Sequence, residues 1–70
     1  MKHLAVRFGE QLREIRKSRG ISQDKLALIA DIDRSYVGRI ERGEVNITLE
    51  KVYDLAEALE CNVTELLPIF

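Results

Sequence analysis

The side chains of this chain that can do chemistry are mainly arginines, and they are bunched. Arg34, Arg39 and Arg42 fall in one short segment beside Ser35 and Tyr36. A guanidinium fork donates to phosphate oxygens and, through two parallel bonds, to O6 and N7 of guanine. Other chemistries lack their parts. His3 is the sole histidine, so a Ser-His-Asp set cannot be assembled. Cys61 is the sole cysteine, which excludes an internal disulfide and, without clustered histidines, a structural zinc site. No glycine-rich phosphate loop is present, and no carboxylate pair is placed for acid and base work. The expectation is a binding protein rather than an enzyme, with no cofactor, metal or small-molecule ligand.

A net charge of −1 and a pI near 5.8 do not suggest a nucleic-acid partner. The total conceals a split. Residues 1 to 43 carry ten basic and six acidic side chains, whereas residues 44 to 70 carry Lys51 against six acidic ones, giving halves of +4 and −5. The composition, 46% hydrophobic and 33% charged, is that of a globular domain. The apolar run Leu26 to Ala30 is far short of the roughly 18 residues that span a bilayer. A soluble, cytoplasmic protein is expected, with no membrane partner. Seventy residues make a single domain, 1–70.

Helices must position these arginines. Leu4 or Ala5, Phe8, Leu12 and Ile15 recur at helical spacing, giving a first helix over about 4–19 that Gly20 can end. Ser22 caps a second helix, about 23–30, with Leu26, Ala27, Ile29 and Ala30 inward. Asp31-Ile32-Asp33 breaks the pattern, with Asp31 at a turn position that needs a left-handed residue. Asp33 caps a third helix that turns Val37 and Ile40 inward and stops at Gly43. Thr48 caps a fourth, with Leu49, Val52, Leu55, Ala56 and Leu59 on one face, and Asn62 with Glu65 forms a capping box for a short fifth. No segment alternates as a strand does, so the expected class is all-α, five short helices around one core. Two short helices with a three-residue connection, the second basic at its exposed start, are the architecture of a helix-turn-helix over about 22–43.

The segment ISQDKLALIADIDRSYVGRIERGE resembles the helix-turn-helix of the Cro and lambda-repressor-like transcription regulators. The likeness runs from FGEQLREIRKSRG to CNVTELL, and DRSYVGRIERG is also similar to the controller proteins of restriction-modification systems. The resemblance implies a regulator of double-stranded DNA whose third helix enters the major groove. By position it implies that Arg34, Ser35 and Arg39 reach base edges and that Gln23 and Asn46 meet phosphates. Tyr36, through its hydroxyl, and Arg42, Lys17 and Arg19, through charge, suit phosphate contacts as well. Arg16 and Glu41 match a structural pair and are kept out of the site. The chain departs from the pattern at Glu44 and Val45, where basic residues are usual, and at Asp31 and Glu60, where glycine is usual. Gly38 inside the third helix costs about 1 kcal/mol relative to alanine, and its bareness would let the helix lie closer to DNA. Cys61 falls at an apolar position and reads as a small buried hydrophobe.

One recognition helix makes few contacts, so a homodimer on a palindromic operator is expected, with half-sites about 34 Å apart. The acidic, apolar region of about 48–70 is the expected interface, through Leu66, Leu67, Ile69 and Phe70. A competing reading keeps the helical fold but makes the chain an antitoxin-like adaptor that holds a protein through this tail.

Overall fold

A computed structural model describes residues 3–69; Phe70, expected at the interface, lies outside the described residues. Its elements are α1 (Leu4–Ser18), α2 (Gln23–Ala30), α3 (Arg34–Glu41), α4 (Leu49–Leu59) and α5 (Val63–Leu66), with no strand among the described residues. The fold is all-α.

The starts of α2 to α5 follow from side-chain oxygens that accept otherwise orphaned backbone N–H groups. Ser22 Oγ accepts from Lys25 N at 3.0 Å, Asp33 Oδ1 from Ser35 N at 3.0 Å and Thr48 Oγ1 from Lys51 N at 3.2 Å. Asn62 and Glu65 close the expected capping box, Asn62 N donating to Glu65 Oε2 at 2.9 Å. The ends of α2 and α4 share one closure. Ile32 N donates to Ala27 O and Cys61 N to Ala56 O, each at 3.0 Å, with Asp31 and Glu60 left-handed at φ 58° and 54°. Glycine is the usual residue at such a position because its missing Cβ removes the steric penalty.

Leu12, Leu26, Val37, Ile40, Leu55, Leu59 and Leu66 are the largest fully buried side chains, contributed by all five helices. Two expectations about facing are corrected. Ile29 is exposed, because Leu26, Ala27 and Ala30 define the inward stripe of so short a helix and Ile29 lies roughly 110° from its centre at 3.6 residues per turn. Leu49 is 76% exposed, since as the first residue of α4 it overhangs a surface cleft instead of entering the core. A third correction concerns the tail. Leu66 is fully buried inside the protomer and has no surface to offer a second subunit, whereas Leu67 and Ile69 are exposed.

α1 and α3 meet backbone to backbone at Gly9. A Cβ there would lie 2.4 Å from Ile40 O and 2.7 Å from Glu41 O, so only glycine fits. That contact sets how deeply α3 is seated.

Candidate nucleic-acid interface

α3 is held by its apolar side. Val37 and Ile40 are buried and leave the opposite face, Arg34, Ser35 and Arg39, exposed. Between this face and the start of α2 lies a polar depression of about 240 Å³ lined by Gln23, Arg34, Ser35, Gly38, Arg39 and Arg42. Five side chains picked out in the sequence therefore converge on one surface. Asp33 orients its edge: beyond capping α3, its Oδ1 accepts from Ser35 Oγ at 3.0 Å. The Ser35 backbone bond, then its hydroxyl, hold the Asp33 carboxyl below its ordinary pKa.

Each arginine has a partner in the free protein. Arg34 Nε is in ion contact with Asp24 Oδ1 of α2. Arg42 Nε donates to Glu44 Oε2 at 2.7 Å, which raises the pKa of the guanidinium and lowers that of the carboxyl. Arg39 forms no ion pair among the described residues and lies 6.0 Å from the centre of the Tyr36 ring. Tyr36 is half-buried and its ring packs against the core, so its apolar body is structural even where its hydroxyl is available.

Beneath the depression runs a bonded network. Arg16, 8% exposed, donates from Nε to Glu41 Oε2 at 2.6 Å, from Nη2 to Glu41 Oε1 at 3.1 Å and from Nη1 to Ile21 O at 2.8 Å. Glu41 Oε1 also accepts from Gln23 Nε2 at 3.0 Å. The pair is structural, as the sequence suggested, and it does a further thing that sequence reasoning missed: it fixes the Gln23 amide at the rim of the depression. Gly38 lies beneath the Arg42 guanidinium. A Cβ there would lie 3.1 Å from Arg42 Nη1, so the guanidinium would have to shift by a few tenths of an ångström, and in ordinary contact, 3.7 Å, with Gln23 Oε1.

Three expected phosphate contacts fall elsewhere. Lys17 and Arg19 do not line the depression, and Arg19 donates instead from Nε to Leu59 O at 3.0 Å and from Nη2 to Glu60 O at 3.5 Å, satisfying carbonyls at the end of α4. Asn46 is exposed on the rim of a different, apolar cleft of about 310 Å³, whose lining includes Leu4, Phe8, Val45, Leu49 and Leu67. The tail beside this cleft is tied to α1, with Arg7 Nη2 donating to Ile69 O at 2.6 Å and Gln11 Nε2 to Glu65 O at 3.1 Å. Cys61 is half-buried against the core; burial, then the Glu65 carboxylate, push its thiol pKa up, with Arg19 opposing. No helix among the described residues is long and apolar enough to cross a membrane.

Comparisons with known proteins agree with this geometry. A helix-turn-helix family model matches residues 12–66. The control protein C.BamHI of Bacillus amyloliquefaciens is 36% identical over 66 residues, covering 93% of this chain and 82% of the relative. The control protein C.SmaI of Serratia marcescens is 41% identical over 60 residues, 86% of this chain and 71% of its own length. The crystal structure of the restriction-modification controller protein C.AhdI from Aeromonas hydrophila superposes with a TM-score of 0.86 at 47% identity, covering 89% of this chain and 94% of that one.

Proposed function

Because this chain belongs to the helix-turn-helix family of DNA-binding transcription regulators, we propose that it acts as a homodimer on a palindromic operator, with α3 of each subunit in the major groove. The observation that carries this reading is the convergence of Arg34, Ser35 and Arg39 with Gln23 and Arg42 on one open depression, opposite the buried side of α3. Arg34, Ser35 and Arg39 read base edges. Gln23, Tyr36 and Arg42 meet phosphates that flank them, aided by the α2 N-terminus, whose free N–H groups favour an anion. Lys17, Arg19 and Asn46 add at most peripheral phosphate contact. The similarity to control proteins supports a role in regulating a restriction-modification system.

The second subunit is supported by the other face. Leu4, Leu49 and Leu67 are exposed around the apolar cleft, and Ile69 is exposed on the far side of Pro68, which lines both this cleft and a neighbouring one. An apolar surface continuous with an acidic helix suits self-association better than contact with DNA. Selection of bound sequences from random duplex DNA tests the whole reading. The expected product is a two-fold symmetric site with half-sites about one helical turn apart. Recovery of no enriched sequence, or of an unpaired single half-site, would count against it.

A further inference from the structure

We infer that Asp24 is a positioning residue for base reading, holding the Arg34 fork in place while lowering the net charge the surface offers to the phosphates of any duplex. This deepens the proposal that Arg34 reads a base edge. The ion contact joins Asp24 Oδ1 to Nε, the nitrogen at the stem of the guanidinium. Contact at the stem leaves the terminal Nη1 and Nη2 for an end-on pair of bonds to guanine O6 and N7. Asp24 lies on α2 and Arg34 at the first position of α3, so the contact bridges the two helices of the motif. The guanidinium is referenced to both of them.

The two ligands respond differently to such a carboxylate. A guanine edge is neutral and is recognised by geometry, so a fork already held in one orientation loses less freedom on binding. A phosphate is attracted by net charge, which Asp24 offsets before the DNA arrives. Glu44 does the same for Arg42, contacting Nε at 2.7 Å. With both pairs formed, the three arginines of the depression present the long-range field of about one unit charge, most of it from Arg39. The surface is thereby discounted for phosphates, which every duplex presents alike, while the orientation of the Arg34 fork serves the bases.

Asp24→Asn keeps the shape of the side chain and an oxygen beside Arg34 Nε but removes the charge, while Asp24→Ala removes both; Asp24→Ser serves as a second truncation tolerated at a helix start. Affinities are measured by fluorescence anisotropy on the duplex obtained by selection and on a scrambled duplex of the same composition, over a salt series, with Arg34→Ala in parallel and melting curves to verify folding. Asp24→Asn is expected to bind both duplexes more tightly, with a steeper salt dependence and an unchanged ratio between them. Asp24→Ala and Asp24→Ser are expected to lower that ratio by about two- to fivefold, the range for an exposed ion pair. If Arg34→Ala lowers the ratio and neither truncation does, the positioning role is overturned while base reading by Arg34 stands. If Asp24→Asn lowers the ratio as the truncations do, charge rather than orientation is responsible and the inference is equally overturned. If Arg34→Ala itself leaves the ratio unchanged, base reading by Arg34 fails, and the role of Asp24 fails with it.

Discussion

Arg16 and Glu41, distant in sequence, are joined by two hydrogen bonds of 2.6 and 3.1 Å with side chains only 9% and 3% exposed. Each group has one further partner, Arg16 in Ile21 O and Glu41 in Gln23 Nε2. α1, the link to α2, α2 and α3 are thereby fastened at one point beneath the arginine-lined surface.

Replacing Arg16 by alanine or methionine leaves the Glu41 carboxylate buried without its cation, and loss of one partner of a buried pair costs about 3–5 kcal/mol. For a domain whose total stability is on the order of 5 kcal/mol, the variant should be largely unfolded at 37 °C. Arg16→Met with Glu41→Leu should recover much of the loss in urea denaturation yet bind DNA less well, because Gln23 would lose its anchor. Full recovery of both would show that the network does not organise the surface.

Glu60 sits left-handed at the end of α4, where an L side chain is penalised and glycine is not. Glu60→Gly should therefore stabilise the domain by about 1 kcal/mol, a rise in Tm of about 4–8 °C for a protein of this size. DNA affinity should not change, since Glu60 does not line the depression. A lower Tm would mean that the side chain makes a contribution outweighing its backbone strain.

Asp33 supplies a pH dependence whose sign is fixed. Its folded-state pKa is lowered, first by the Ser35 backbone bond. Its contribution is therefore complete above the ordinary carboxylate range, about pH 4, and is lost as pH falls through the lower folded value. Asp33→Ala should be less stable than the parent at pH 7, and the gap should narrow in chemical denaturation at acid pH. Asp33→Asn, which retains a capping oxygen, should show a smaller deficit at pH 7 and little change with pH. A gap independent of pH would remove the charged cap as its cause.

The proposed self-association rests on exposed apolar groups, so Leu67→Asp and Ile69→Asp should shift sedimentation of a micromolar solution toward a single 8.0 kDa species. Operator affinity should fall steeply in both, while melting of the protomer changes little. Leu66→Asp should instead unfold the chain, since that side chain is fully buried. Unchanged sedimentation in the first two variants would place the interface elsewhere.

What could be read from the sequence was largely local. Ser22, Asp33, Thr48 and the Asn62–Glu65 pair announce helix starts because capping chemistry acts within three residues. Val37 and Ile40 likewise reveal which side of α3 is free. What the sequence left unread has a different cause. Leu66, Leu67 and Ile69 form one apolar run, and only the three-dimensional course of α5 separates the core residue from the exposed ones. Arg19 and Asn46 have types suited to phosphate, but their reach is decided by where α4 and the loop before it lie. The Asp24–Arg34 contact joins two helices whose side chains have no sequence periodicity in common, so nothing in the spacing discloses it.

The contact of Gly9 with the carbonyls of Ile40 and Glu41 bears on how such a protein can diversify. α3 is located by main chain against main chain on one side, and the side chains that face outward take no part in that seating. Exchanging Arg34, Ser35 or Arg39 should alter the recognised bases while the angle and depth of the helix stay constant. The letters of the operator can thus drift independently of the mount that carries the reader.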